Sequence, residues 1–338
     1  MQEFPRISVI VPAKDEEESI PELIQWLVKV LDENGLSYEI IFIDDGSRDN
    51  TWKEIQKANL LNAHVKGIKF NRNFGKSAAL HTGFKAATGE VIITMDADLQ
   101  DSPDEIPYLY KMIVEQDFDL VSGWKKKRHD PLSKTIPSRF FNYVTRRMSG
   151  IPLHDFNCGL KAYKSVVIKN INVYGEMHRY IPVIAKWAGF TRIGEKVVEH
   201  RERKYGITKF GWERFIKGFL DLLSIMFVGK FRRNPMHFFG SFGIVSFLVG
   251  FALTAKIFYD KIDSLFISKM PLKRDITDQP IFYLALVAVV IGVQLFLTGY
   301  LAEMIAMQSL SKKDYLVIDK VGLNKLIHQE SISLTANP

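Results

Sequence analysis

From residue 7 to about residue 121 the chain alternates short apolar runs with longer segments whose apolar positions recur every three or four residues. Ile7-Ser8-Val9-Ile10-Val11 is mostly β-branched, is closed by Pro12, and reads as a buried strand. Ser19-Ile20-Pro21-Glu22 then opens a helix with apolar Leu23, Trp26, Leu27, Val30 and Leu31, stopped by Gly35. A second strand, Glu39 to Ile43, ends in Asp44-Asp45-Gly46-Ser47. A helix through Trp52 and Ile55 follows, with Ser47 or Asp49 as its expected cap, and then a strand near Val65 to Phe70. Gly75 to Ala87 is expected to be helical, and Gly89 separates it from the strand Val91 to Met95. Repeated βα units of this length need crossovers, and so predict an α/β fold with a mostly parallel sheet.

The second half is patterned differently. Phe238–Ala255 and Ile281–Ala302 are runs of 18 and 22 residues without a charge. The longer one, as a helix, reaches roughly 33 Å, enough to cross a bilayer. A buried core helix is the other reading of each, but the lengths favour two transmembrane spans, about 236–258 and 281–303. Their outer flanks carry Lys217, Lys230, Arg232, Arg233, Lys312, Lys313, Lys320 and Lys325, against Lys261, Lys269, Lys273 and Arg274 in the connecting loop. By the positive-inside rule both ends lie in the cytosol. The first residues show no basic segment leading into an apolar core, so the first module is expected to stay there too. Two basic stretches, near 131–148 and 210–228, mix aromatic residues with Arg and Lys. They suit helices lying in the membrane interface better than ordinary surface helices, given the spans nearby. The expected organisation is a cytosolic catalytic domain (1–229), a membrane anchor (230–310) and a cytosolic tail (311–338).

Composition narrows the function. Of 338 residues 47% are hydrophobic and 25% charged, which excludes a disordered chain and argues against a many-spanning transporter. The lone Cys158 excludes an intramolecular disulfide framework or a multi-cysteine zinc site, and reads as a small buried hydrophobe. The net charge of +7 is unevenly spread. Trp124–Arg147 carries +7, His200–Lys217 +4 and Lys230–Arg233 +3, which leaves −7 for the rest. A mildly acidic body with a basic skirt beside the spans points to anionic lipid and lipid phosphate as partners, and not to nucleic acid.

In open parallel sheets ligands bind outside the carboxyl ends of the strands. Three such ends carry acidic or turn clusters here: Pro12-Ala13-Lys14-Asp15-Glu16, Asp44-Asp45-Gly46-Ser47 and Asp96-Ala97-Asp98. On extended backbone Asp96 and Asp98 point the same way, so both can grip one hard divalent cation, Mg²⁺ or Mn²⁺, which in turn binds a diphosphate. Asp45 can accept hydrogen bonds from a ribose or a base edge. Phe74-Gly75-Lys76-Ser77 lacks full P-loop spacing, and Lys76 either faces a phosphate or is a solvated surface lysine. In Arg201–Lys209, Gly206 allows a tight turn that lets Arg203 and Lys209 clamp phosphate oxygens, unless the stretch simply meets lipid headgroups. His154–Gly159 is a polar turn able to deliver Asp155.

Val11-Pro12-Ala13-Lys14-Asp15-Glu16-Glu17-Glu18-Ser19-Ile20, Asp44-Asp45-Gly46-Ser47, Asn73-Phe74-Gly75-Lys76 and Met95-Asp96-Ala97-Asp98-Leu99-Gln100 follow one another as they do in family 2 glycosyltransferases of GT-A fold. The chain most resembles the polyprenyl-phosphate branch, similar to dolichyl-phosphate mannose synthases and bacterial polyprenyl-phosphate glucosyltransferases. Arg128-His129-Asp130, the Asp155 turn, Arg203…Gly206-x-Thr208-Lys209 and the two C-terminal spans extend the likeness over roughly residues 6–305. The resemblance implies a nucleotide site at Pro12, Ala13, Glu16 and Asp45, completed by Lys76 and Asp96. It implies a metal, Mg²⁺ or Mn²⁺, on Asp96, Asp98 and Gln100, and phosphate contacts from Arg128, Arg203 and Lys209. Asp98, Asp155 and Arg203 would be the catalytic residues. Asp15 departs from the family, where many members carry Asn, as does Lys125 in a segment where relatives often carry Arg.

What is implied is an inverting, metal-dependent transfer of sugar from a nucleotide sugar, of UDP-glucose or GDP-mannose type, to polyprenyl (undecaprenyl) phosphate. The setting would be the cytosolic face of the inner membrane, in cell-envelope glycan biosynthesis, with a homo-oligomer left open. A lipid phosphate is already ionised near neutral pH, so alignment and charge neutralisation matter more than a strong base. Two alternatives stay open: a neutral lipid acceptor, and a non-enzymatic nucleotide-sugar-binding protein at the membrane. A processive polysaccharide synthase fits less well, since no Gln-x-x-Arg-Trp motif is present and only two spans are expected.

Overall fold

The computed structural model of the chain describes residues 5–126, 132–173, 177–202, 204–205, 235–267 and 275–309. Two compact units divide the chain, residues 1–229 and 230–338.

The first unit is built on seven strands: β1 Ile7–Ala13, β2 Tyr38–Asp44, β3 Val65–Lys69, β4 Val91–Thr94, β5 Leu120–Trp124, β6 Lys161–Lys164 and β7 Ile193–Val197. Their order across the sheet is β3-β2-β1-β4-β6-β5-β7. All neighbours run parallel except β6, which is antiparallel to both β4 and β5. The central strands β1 and β2 are buried on both faces, as their apolar runs Val9–Val11 and Ile40–Ile43 require. Alternate residues part to the two faces. Val9, Val11, Ile40 and Phe42 meet helices α1 (Ile20–Glu33) and α4 (Ile106–Val114) on one side. Ile10, Ile41 and Ile43 meet α3 (Lys76–Ala86) on the other. Helix α2 (Thr51–Leu61) packs on the edge strand β3, whose exposed Lys66 and Lys69 discourage further pairing. Asp49, and not Ser47, serves the start of α2, its carboxylate accepting from the Thr51 amide at 3.0 Å. A basic helix, α5 (Leu132–Ser149), links β5 to the turn before β6, and Phe141 and Val144 on it pack against Ile151, Phe156 and Tyr180.

Helices α6 (Ser165–Lys169) and α7 (Ile181–Trp187) complete this unit. The strands called from the sequence are all present, with β3 ending at Lys69 and β4 at Thr94. The antiparallel β6 is the main departure from a βα repeat. Because it runs backwards, its leading turn lies at the carboxyl ends of β4 and β5, with Lys161 level with both Thr94 and Ser122.

The second unit is a pair of long helices, α8 (Pro235–Ile262) and α9 (Pro280–Ser309). Two segments here, Pro235–Ile267 and Pro280–Ile305, are long and apolar enough to cross a membrane, and little of either is buried within the structure. Glycines let their backbones touch. A Cβ on Gly292 would lie 2.6 Å from the Phe247 nitrogen and 2.8 Å from the Gly243 oxygen, and one on Gly250 would lie 2.7 Å from the Val289 nitrogen. Ser246 Oγ donates to the Ala288 carbonyl at 2.8 Å across the pair. Outward-facing Phe242, Leu248, Leu286 and Leu297 form the exposed apolar surface that hydrocarbon would solvate.

The far edge of the sheet is locked by a buried carboxylate. Glu39 accepts from Ser8 Oγ (2.6 Å), the Thr88 amide (2.7 Å), Thr88 Oγ1 (2.8 Å) and Lys66 Nζ (2.6 Å). Burial by itself would raise the Glu39 carboxyl, but the hydrogen bonds from Lys66, Ser8 and Thr88 outweigh it and hold the group below its ordinary value of 4.5. A depressed folded value stabilises the protein above the unfolded pKa, and that stability is lost as pH falls through the folded one. Glu39→Gln is therefore expected to cost about 1–3 kcal/mol at pH 7. In thermal melts of the detergent-solubilised protein, the gap to wild type should close below about pH 4.5; a gap independent of pH would refute the charge-based account.

Candidate active site

The carboxyl ends of β1, β2 and β4 come together at one edge. Ala13 and Asp44 are register partners, and the Asp45 amide donates to the Ala13 carbonyl at 2.9 Å. Beyond β1, Asp15 takes a left-handed backbone (φ 55°), with its amide on Ser47 Oγ (3.0 Å) and its Oδ1 accepting from the Arg48 amide (2.9 Å). Next to it the Glu16 amide donates to Thr51 Oγ1 (2.8 Å), and the Glu16 carboxylate accepts from Ser19 Oγ (2.9 Å). Beyond β2, the Asp45 carboxylate takes the amides of Phe74 (2.7 Å) and Gly75 (3.0 Å), gripping the loop before α3. Only glycine fits at position 46. Its φ is +69°, and a Cβ there would sit 2.6 Å from the Asn73 nitrogen. These loops enclose an open cleft of about 560 Å³ lined by Lys14, Asp15, Gly46, Ser47, Arg48, Lys69 and residues 70–73. The size suits a small organic ligand, and four cations (Lys14, Arg48, Lys69 and Arg72) suit an anionic one.

Asp96 and Asp98 lie just past β4, on bent backbone and not on the strand itself. Met95, Ala97 and Leu99 are buried there, while Asp96, Asp98 and Gln100 are partly open. Lys76, the first residue of α3, forms an ion pair with Asp96. Burial works to raise the Asp96 carboxyl, but Lys76, Lys125 and Lys161 prevail and hold it well below the usual carboxylate range. Lys125 is fixed by buried Asp101 at 2.7 Å, and Lys161 is buried, its ammonium donating to the Cys158 carbonyl. Burial pushes the Cys158 thiol up to about 12, which leaves it a poor nucleophile. Gly159 comes so near that a Cβ on it would lie 2.6 Å from the Asp96 carboxylate. Among the described residues no cluster of three or more His, Cys, Asp or Glu could hold a metal. A divalent ion on Asp96, Asp98 and Gln100 would thus draw its remaining oxygens from water and a phosphate ligand, as Mg²⁺ commonly does.

Asp155 is fully buried, in a turn whose amides at 154 and 155 donate to Glu195 on β7 (2.6 and 3.0 Å). Its own carboxylate accepts from the Asn157 amide at 3.0 Å. His154 stacks on Trp124 with centroids 4.1 Å apart. Beyond Asp98, the strand-like stretch at 100–101 pairs with residues 200–201: the Arg201 amide donates to the Gln100 carbonyl at 2.9 Å, and Asp101 bridges His200. Pro12, Ala13, Glu16, Asp45, Lys76, Asp96, Asp98 and Gln100 therefore all occur at this edge, and Asp155 lies in the turn that closes on it. Arg128, Arg203, Lys209 and the stretch 210–228 lie outside the described residues. Sequence reasoning missed Asp101, Lys161 and Glu195. A lysine in an apolar run, as in Cys158-Gly159-Leu160-Lys161-Ala162-Tyr163, was the available signal, because a buried lysine is costly.

A mixed, mostly parallel sheet that gathers a cationic cleft, an acidic step and its lysines at one edge is an architecture of GT-A type. The glycosyl transferase family 2 model matches residues 8–171. A dodecaprenyl-phosphate galacturonate synthase of Rhizobium johnstonii is 37% identical over 303 residues, covering 89% of this chain and 87% of the relative. An undecaprenyl-phosphate 4-deoxy-4-formamido-L-arabinose transferase of Salmonella paratyphi B is 30% identical over 332 residues, covering 98% and 96%. Among solved structures, the glucosyl-3-phosphoglycerate synthase of Mycobacterium tuberculosis in complex with UDP superposes with a TM-score of 0.51 at 20% identity, over 66% of this chain and 80% of that one. The chain belongs to glycosyl transferase family 2, and is an enzyme of GT-A fold.

Gly159→Ala is expected to displace the Asp96 carboxylate while leaving the sheet intact. Nucleoside diphosphate affinity, read by calorimetry with Mn²⁺, should fall about tenfold or more with little change in melting temperature; unchanged affinity would mean that Asp96 does not serve the ligand.

Proposed function

We propose that the protein transfers a sugar from a nucleotide sugar to a polyprenyl phosphate, of which undecaprenyl phosphate is the type, with inversion at the anomeric carbon. The observation that carries this reading is likeness over most of the chain to relatives named for such transfers, the Rhizobium synthase and the Salmonella transferase. The site supports it. Nucleoside and diphosphate would bind along Pro12, Ala13, Glu16, Asp45, Lys76 and Asp96, and the cationic cleft favours the anionic donor. A divalent ion, Mg²⁺ or Mn²⁺, would be held by Asp96, Asp98 and Gln100 and would supply charge neutralisation to the departing diphosphate. A solved structural neighbour was obtained with Mn²⁺ and UDP-glucose.

In the reaction an oxygen of the acceptor phosphate forms a bond to the anomeric carbon. The bond from that carbon to the donor diphosphate breaks, and the nucleoside diphosphate leaves with the electron pair. No proton need be removed from an acceptor already ionised at neutral pH, so the protein's task is alignment and charge stabilisation. Arg128, Arg203 and Lys209 would hold phosphate oxygens, and Arg203 is the third catalytic residue beside Asp98 and Asp155. The buried Asp155 suits a role in shaping the acceptor side of the site more than solvent-exposed base chemistry.

The same reading sets the enzyme in the inner membrane, with two spans and both termini cytosolic. Residues 1–229 would be catalytic, 230–310 the anchor and 311–338 a tail. Helix α5, with exposed Phe140, Tyr143 and Met148 beside Arg139 and Arg147, would lie in the interface against anionic lipids. Cell-envelope glycan assembly is the setting.

The test is incubation of the purified protein with undecaprenyl phosphate, Mn²⁺ and a panel of labelled donors that includes UDP-glucose, GDP-mannose and UDP-galacturonate. A lipid-linked sugar is expected from at least one, lost on chelation and reduced at least about a hundredfold by Asp98→Asn. If no donor labels the lipid, the reading fails.

A further inference from the structure

Lys76 sits on the first turn of α3, held on one side by the Asp45 carboxylate through the amides of Phe74 and Gly75. The other side of that turn is held by a contact that crosses 101 residues of chain. Ser77 Oγ accepts from the His178 amide at 3.0 Å and lies 3.0 Å from His178 Nδ1. Ser77 is buried, and His178 belongs to the short 3-10 turn Met177–Tyr180 leading into α7. Burial, and then the cations Lys76, Arg179 and Lys161, hold the imidazole well below its ordinary range, so at pH 7 it is neutral. A neutral ring can accept the hydroxyl hydrogen that Ser77 has left after accepting the amide. The imidazole thus satisfies the Ser77 hydroxyl.

We propose that His178 is a positioning residue for the donor diphosphate: through Ser77 it fixes the first turn of α3, and so sets the reach of the Lys76 ammonium toward Asp96 and the phosphates. The proposal rests on the reading of Lys76 and Asp96 as part of the donor site. It assigns a task to an element, the turn before α7, that lies far in sequence from every donor motif. It also explains why α3 needs pinning from two directions. A lysine at a helix's first position has little of the helix behind it, and a shift of about 1 Å there is enough to cost catalysis dearly.

The measurement is the affinity of the full-length protein in detergent for UDP and for GDP, each with MnCl₂, by calorimetry at a temperature well below the melting point. Whichever diphosphate binds the wild type more tightly is carried forward. His178→Phe and Ser77→Ala are each expected to weaken it about tenfold, with a matching rise in KM and a smaller change in kcat. His178→Asn keeps a polar atom at the Nδ1 position and is expected to bind within about threefold of wild type. In a Lys76→Met background, His178→Phe should cost less than about twofold more, because its effect runs through Lys76. Wild-type affinity in both His178→Phe and Ser77→Ala, failure of His178→Asn to restore binding, or a full further loss in the Lys76→Met background would each overturn the proposal. If the wild type binds neither diphosphate, the donor-site reading falls and the proposal with it; if it binds and only the variants fail to respond, the proposal alone falls.

Discussion

Keeping one carboxylate ionised at a crowded strand end is the constraint around which the catalytic unit is arranged. Asp96 stands where β4 stops, partly covered by Gly159, and burial by itself would favour its neutral form. Three lysines from three separate elements prevent that: Lys76 from α3, Lys125 from the end of β5 and Lys161 from β6. Each is held in turn. Asp45 and Ser77 fix the start of α3, Asp101 fixes Lys125, and the Cys158 carbonyl receives Lys161. Removing water strengthens every one of these interactions, which is why so many cations can be retained at a cost the fold tolerates. The result is a fixed array of charge, set before any ligand arrives, of the kind that stabilises negative charge developing in a reaction.

Topology makes the array possible. With a parallel strand between β4 and β5, the residues entering that strand would lie at the opposite edge of the sheet, far from Asp96. Because β6 runs backwards, the turn from His154 to Gly159 arrives at the same edge as the strand ends of β1, β2 and β4. Glycine at 159 then admits the Asp96 carboxylate, and glycine at 123 admits Cys158 Sγ, which would lie 2.8 Å from a Cβ there. Glu195 completes the closure from β7 by receiving two amides of the turn. The antiparallel strand therefore does more than extend the sheet, since it brings the Asp155 turn to the edge where Asp96 stands.

The membrane-length helices follow a different logic. Within hydrocarbon there is no water to drive apolar surfaces together, so close backbone approach and interhelical hydrogen bonds carry the association. Gly243 meets Gly292, Gly250 meets the backbone around Val289, and Ser246 reaches Ala288, while the large apolar side chains point outward. The catalytic unit packs the other way round, with its large apolar side chains inside.

Much of this was legible from the residues alone. The β-branched runs and the helical spacing of Leu23, Leu27 and Leu31 specify β1 to β4 and α1 to α3, because period and propensity are local properties, although β1 runs through Pro12, expected to close it, to Ala13. The acidic clusters could be placed at strand ends for the same reason, and the uncharged runs revealed the two long helices. The antiparallel sense of β6, the burial of Asp155, Lys161 and Asp101, the pairing of Lys76 with Asp96 and the reach of His178 to Ser77 could not be read in this way. Each depends on which segments become neighbours across 20 to 101 residues of chain, and nothing local distinguishes a lysine that will be buried between carboxylates from one that will face water. Sequence by itself determined the elements and the kinds of chemistry at their ends. Tertiary structure decided which charges share a low-dielectric space, because electrostatic energy depends on distance and burial, neither of which is written in the order of residues.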